Sequence, residues 1–128
     1  MTTEFVMDAS AILALFYGEA GREQVAASLA KSRITTLNLA EVVSNMVETG
    51  ISPYETEMQL GRLPSLVVTL DRDLAIQAGL LRQATRHKGL SLGDRACLAL
   101  AMRERLPVMT ADRAWSDLDL PVEVVLIR

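Results

Sequence analysis

The sequence predicts an α/β fold, a parallel five-stranded sheet with helices on both faces. Three observations carry that expectation. Five short apolar runs, continuous rather than alternating, are separated by longer segments with helical periodicity. The helical segments carry their own start and stop residues. The chain has 128 residues, half of them apolar. That is enough for one domain spanning residues 1–128 around a single core, and too apolar for disorder. No internal repeat, low-complexity tract or linker interrupts it.

Residues 5–7 form a buried strand ended by Asp8, and Ser10 is placed to cap a helix through Phe16. Gly18 breaks that helix, and residues 23–30 continue as a second one. Residues 33–36 make the second strand. A helix over 39–48 follows, with Leu39, Val42, Val43, Met46 and Val47 on one face and Gly50 closing it. Ser52-Pro53-Tyr54-Glu55 is a strong helix start: a Ser cap, Pro in the first turn, and Glu three residues beyond the cap. That helix runs to about Leu63 and stops before Pro64. Residues 66–70 are a third buried strand. Asp71 caps a long helix to about His87, with Gly89 beyond its end, and Ser91 opens another to about Arg105. Residues 107–110 are the fourth strand, 112–118 a short helical turn and 122–127 the last strand.

Composition narrows the function. With only two Phe, two Tyr and one Trp, an aromatic platform for stacking bases is disfavoured. A net charge of −3 argues mildly against a duplex binder held by many phosphates. A cleft rich in acids would bias that sum, because a bound divalent cation inverts its local sign. The single cysteine, Cys97, fits a reducing compartment and reads as a core residue, as does Trp115. Residues 1–8 carry Glu4 and Asp8 and no basic segment, so no signal peptide is expected. The longest nearly apolar run, residues 11–17, is far short of a membrane span. A soluble cytoplasmic protein with no membrane partner is therefore expected.

The acids lie where an α/β sheet binds ligands, beyond the carboxyl ends of its strands. Asp8 ends the first strand and Asp112 follows the fourth. Taken singly, each is explained by helix capping, as Asp71 after the third strand illustrates. Asp94 shares a helix face with Cys97, Leu98, Ala101 and Met102, an expensive place for an uncompensated carboxylate. Two readings stand there side by side: a metal ligand, or the last residue of a capping box opened by Ser91. Glu41 shares its face with Ser44, Asn45 and Glu48, so periodicity puts it on a solvated side. Oxygen donors with no second histidine or cysteine suit Mg²⁺ or Mn²⁺ better than Zn²⁺.

Four segments together resemble the PIN-domain nucleases, and within them the VapC toxins of bacterial toxin–antitoxin pairs. They are the run from Asp8 to Leu15, Glu41 early in a helix, the run from Leu92 to Ala101, and Thr110-Ala111-Asp112-Arg113-Ala114-Trp115. The resemblance spans essentially the whole chain. It implies a three-layer α/β/α fold with strand order 3-2-1-4-5, setting strands one and four side by side. Asp8, Glu41, Asp94 and Asp112 would then converge as catalytic metal ligands, and Asp71 would not. It raises Glu41 from surface residue to ligand, and gives Ser10 and Thr110 supporting roles, with Asp117 an additional acid or a solvated turn residue.

The activity so implied is Mg²⁺- or Mn²⁺-dependent hydrolysis of RNA phosphodiester bonds, with no histidine base required. Arg95 and Arg113, beside two of the acids, become candidate phosphate contacts, whereas His87 reads as a cation at a helix end. An antitoxin covering the acidic pocket and a homodimer are the implied partners, with a groove for the antitoxin between residues 39 and 63. Three other readings compete: a non-catalytic module binding a basic peptide, a PIN nuclease outside any toxin–antitoxin pair, and an acid-cluster phosphatase. The last usually needs Asp-x-Asp after strand one, where this chain has Asp8-Ala9-Ser10.

Overall fold

A computed structural model describes residues 4–128; the reading of the N-terminal segment as no signal peptide falls partly on residues 1–3, outside the described residues. In chain order the elements are β1 (Phe5–Met7), α1 (Ala9–Tyr17), α2 (Arg22–Ser28), β2 (Ser32–Thr35), α3 (Thr36–Glu48), α4 (Pro53–Gly61), β3 (Leu66–Val68), α5 (Arg72–Thr85), α6 (Leu92–Glu104), β4 (Val108–Thr110) and β5 (Val124–Leu126). Short 3-10 turns occupy Leu29–Lys31, Arg86–Lys88 and Arg113–Asp117. The strands form one sheet in the order β3-β2-β1-β4-β5, every neighbouring pair parallel.

The sheet divides the interior in two. On one face Val6 and Val108 pack against Leu74 and Ala78 of α5, the length of α6 and Trp115. On the other, Met7, Ile34 and Met109 pack against Ala11, Ile12 and Ala14 of α1, Val25 of α2 and Val42 and Met46 of α3. The alternation of Val6 and Met7 between these cores is the period-two geometry of a strand buried on both sides. Helix α6 is buried almost all round, residues 95–101 being buried without a break. Cys97 and Trp115 are both fully buried, as the sequence suggests.

Several boundaries move for identifiable reasons. Helix α1 is capped by Asp8, whose carboxylate accepts the Ala11 N–H at 2.9 Å, and not by Ser10, which lies inside the first turn. Helix α3 begins three residues earlier than periodicity suggests, because Thr35 caps it through the Asn38 N–H. Asn38, Val42 and Met46 form its deepest stripe, and Val47 is largely outside. The expectation of a buried third strand is corrected: β3 is a sheet edge, with Leu66 57% and Val67 43% exposed. Among the described residues, no helix is long and apolar enough to cross a membrane.

Candidate active site

Parallel pairing of β1 with β4 aligns Met7 with Met109, so the residues just beyond them meet at the carboxyl edge of the sheet. Asp8 is 3% exposed there. Besides capping α1, its carboxylate accepts hydrogen bonds from the Ser10 hydroxyl at 2.7 Å and the Thr110 hydroxyl at 2.5 Å. Those hydroxyls also anchor the chain leaving β4: Ser10 Oγ accepts the Ala111 N–H at 2.9 Å and Thr110 Oγ1 the Asp112 N–H at 3.0 Å. Burial pushes the Asp8 carboxyl up to about 6, against the pull of the Thr110, Ala11 and Ser10 donors, and the negative charge of Asp94 pushes the same way as burial.

Glu41 is partly buried where α3 passes the start of α6. Its Oε1 accepts a hydrogen bond from Asn38 Nδ2 at 2.8 Å. Burial raises its carboxyl above the ordinary value, Asn38 opposes that, and Asp94 adds to it. A Cβ on Gly93 would overlap the Glu41 carboxylate, so glycine at position 93 leaves the room in which that carboxylate sits.

Asp94 closes a capping box with Ser91: the Ser91 N–H donates to its Oδ2 at 2.9 Å, and its own N–H donates to Ser91 Oγ at 3.1 Å. The cap uses one carboxylate oxygen. The like charge of Asp94 bears on both Asp8 and Glu41, and all three acids bear on the thiol of Cys97, which burial first and then their charges push up. Asp8, Glu41 and Asp94 thus gather around the point where α6 starts beneath the sheet edge.

Only the backbone N–H of Asp112 reaches Thr110; its carboxylate is exposed and caps the 3-10 turn by accepting the Ala114 N–H at 2.9 Å. Asp117 is occupied elsewhere: Lys88 Nζ lies 2.6 Å from its Oδ1 and holds the carboxyl below its ordinary value. Asp71 caps α5 and pairs with Arg103, away from the cluster. Arg113 is exposed beside Asp112. Arg95 is not brought to the rim: it is 8% exposed, and its Nη1 donates to the Ala78 carbonyl of α5 at 3.1 Å. Neighbours on a helix point about 100° apart, so adjacency to Asp94 sends Arg95 into the α5–α6 interface. Sequence reasoning missed Asn38 and Gly93. A polar side chain three residues before Glu41, and a glycine just before Asp94, were the available signals.

Among the described residues, no three carboxylates, imidazoles or thiols enclose a common ion position. The donor set still fits a hard divalent cation. Among the described residues none of Asp8, Glu41, Asp94 or Asp112 is in a salt bridge, whereas Asp71, Asp73, Asp117 and several glutamates are. Glu41 Oε2 and Asp94 Oδ1 accept no hydrogen bond from the described residues. Mg²⁺ keeps several waters and needs only one or two direct carboxylates, so a widely spaced acid cluster suits it.

A family profile described as the PIN domain matches residues 5–120. Among curated protein sequences, none matches. Solved structures align over nearly the full length. A toxin–antitoxin complex from Klebsiella pneumoniae is 20% identical, covers 98% of each chain and has a TM-score of 0.74. A DNA-bound VapBC from Salmonella typhimurium is 18% identical, covering 99% of this chain and 100% of that one, with a TM-score of 0.75. The Mycobacterium tuberculosis toxin VapC20, described as cleaving the sarcin–ricin loop, is 18% identical, covering 94% and 99%, with a TM-score of 0.74. At these identities the similarity is one of fold.

Proposed function

The chain belongs to the PIN-domain family, and from that premise we propose that it is a metal-dependent endoribonuclease, the toxin of a toxin–antitoxin pair. One observation carries the reading: at the carboxyl edge of the sheet the charge of Asp94 bears on both Asp8 and Glu41, and among the described residues no cationic side chain forms a salt bridge with any of the three. Like charges gathered and left uncompensated cost free energy unless a cation meets them.

In this reading Asp8, Glu41, Asp94 and Asp112 hold Mg²⁺ or Mn²⁺, directly or through water. When bound, that ion neutralises phosphate charge and lowers the pKa of an attacking water. The protein's own part is positional. Ser10 and Thr110 fix the Asp8 carboxylate through their hydroxyls, and the Ser91 cap fixes Asp94. Arg113, exposed beside Asp112, is the candidate contact for a substrate phosphate. Water adds to phosphorus, one P–O ester bond breaks, and the products are an alcohol and a phosphate monoester.

The partners proposed are RNA as substrate, an antitoxin protein that covers the acidic rim, and a second copy of the chain. That proteins of similar fold occur in toxin–antitoxin complexes supports the antitoxin, and exposed leucines such as Leu66 and Leu80 are apolar side chains that a second copy could cover. A cytoplasmic location agrees with a lone, fully buried cysteine. The test is RNA cleavage by the full chain with and without Mg²⁺. Cleavage that needs the ion and is lost in Asp94→Asn is expected, and cleavage retained by Asp94→Asn removes the ligand role. Expression of the chain alone should arrest growth, and co-expression of the adjacent small reading frame should relieve it.

A further inference from the structure

We propose that Asn38 is the positioning residue of the acid cluster: its carboxamide fixes the Glu41 carboxylate against the first turn of α6, beside Asp94. The inference rests on the functional reading above, in which Glu41 helps to hold a divalent cation.

Asn38 is 1% exposed, an expensive place for a carboxamide unless its polar atoms are paired. Its Oδ1 accepts from the Thr35 hydroxyl at 3.0 Å, and its Nδ2 donates to Glu41 Oε1 at 2.8 Å and to the Gly93 carbonyl at 3.2 Å. Both amide hydrogens are therefore used, each on an acceptor from a different helix. This network fixes the amide's orientation. Turned over, its oxygen would face a carboxylate and a carbonyl, two acceptors with no donor between them. Thr35 is held in turn, because its oxygen accepts the Asn38 N–H at 3.0 Å while capping α3.

Spacing makes the clamp possible. Positions 38 and 41 are three apart on α3 and so share a face. Gly93 supplies the room, since any side chain there would meet the Glu41 carboxylate. The bond to the Gly93 carbonyl ties the same amide to α6 one residue before Asp94, so one group sets where both acids stand. The chemistry of the amide also matters. A lysine or arginine at position 38 would neutralise the carboxylate, and an aspartate would repel it. A neutral donor orients Glu41 and leaves its charge for the cation. Without that donor, Glu41 lies at the edge of the open groove formed with Ala40, Ser44 and Glu48, and is free to turn outward, away from the charge of Asp94.

The test is a double-mutant cycle on the full chain, titrated with Mn²⁺ alone and no RNA, for the parent, Asn38→Ala, Glu41→Gln and the double variant. Asn38→Ala should weaken Mn²⁺ binding by roughly tenfold or more, the usual effect of losing a group that orients a ligand. In the Glu41→Gln background the same change should cost less than about twofold, because the residue it acts through is already altered. If Asn38→Ala does not fold, Asn38→Ser, polar but too short to bridge to Glu41, takes its place. Equal weakening in both backgrounds would mean a general structural role and would overturn the proposal. So would unchanged binding in Asn38→Ala when Glu41→Gln weakens it, and that result leaves the functional reading standing. A parent chain that binds no Mn²⁺, or binds it equally well as Asp8→Asn, ends the functional reading and this inference together.

Discussion

The Thr110 hydroxyl donates to the Asp8 carboxylate at 2.5 Å, across adjacent strands and 102 positions of sequence. The same oxygen accepts the Asp112 N–H, so one buried group serves two of the proposed acids. Thr110→Val keeps the shape but leaves a carboxylate and an N–H each short of a partner. It should cost about 1–3 kcal/mol in urea unfolding, with Thr110→Ser recovering most of it. A Thr110→Val chain as stable as the parent would show that the bond contributes nothing.

The raised carboxyl of Asp8 makes stability depend on pH. Its value goes from 3.8 to about 6 on folding, so between those values the folded chain binds more protons than the unfolded one. Stability from this group is fully present below pH 3.8 and is lost as pH rises through about 6. At roughly 1.4 kcal/mol per pKa unit the loss is about 3 kcal/mol. In metal-free buffer the parent should lose that much relative to Asp8→Asn between pH 4 and 7. Adding Mn²⁺ at pH 7 should raise the parent's Tm and leave that of Asp8→Asn nearly unchanged. A stability difference between the two chains that is flat with pH would refute the account.

Much of this site was legible in the sequence, and the misreadings have local causes. Asp8 and Asp112 stand out as candidates because a strand followed by an acid is visible in one dimension. The pairing of β1 with β4 came from family resemblance, since three-residue strands carry no register signal. Periodicity misplaces Glu41: its own helix offers it Ser44, Asn45 and Glu48 as company, and it is half-buried with its carboxylate in the space beside Gly93, 52 positions away. Leu66-Val67-Val68 reads like an interior strand, yet β3 is the last strand of the sheet, with Leu66 and Val67 exposed.

Gly93 gives a prediction with an unusual sign change. Gly93→Ala should destabilise the chain or displace Glu41, since the new methyl group overlaps that carboxylate. In a Glu41→Ala background those nearest atoms are gone, and alanine is favoured over glycine in a helix by up to about 1 kcal/mol. The same substitution should therefore stabilise the Glu41→Ala chain in chemical unfolding. Destabilisation in both backgrounds would mean that something other than Glu41 demands the glycine.

Asp94 serves a cap and, in the proposed reading, a cation, and two substitutions separate these roles. Asp94→Asn keeps an oxygen for the Ser91 N–H but loses the charge. RNA cleavage should fall by roughly 100-fold or more, because even groups that merely orient a ligand are worth 10- to 100-fold, with little change in Tm. Ser91→Ala removes the side chain that accepts the Asp94 N–H and should cost about 1 kcal/mol of stability. Its cleavage rate below the melting transition should stay near that of the parent. If the two variants fail in the same assay, cap and chemistry are not separable.

The two arginines that follow the acids should part company in the same way. Arg113 is exposed beside Asp112, so Arg113→Ala should leave stability unchanged and weaken RNA binding. Measured by anisotropy on the Asp94→Asn chain, the slope of log K against log salt should shrink by about 0.7, the value of one phosphate contact on a single strand. Arg95 is buried with its Nη1 on the Ala78 carbonyl and no partner for Nε. Arg95→Ala removes that added bond to the Ala78 carbonyl and opens a cavity between α5 and α6, so it should lower Tm and leave the salt slope untouched. A salt slope that responds to Arg95 and not to Arg113 would place the RNA path along α5, away from the carboxyl edge of the sheet.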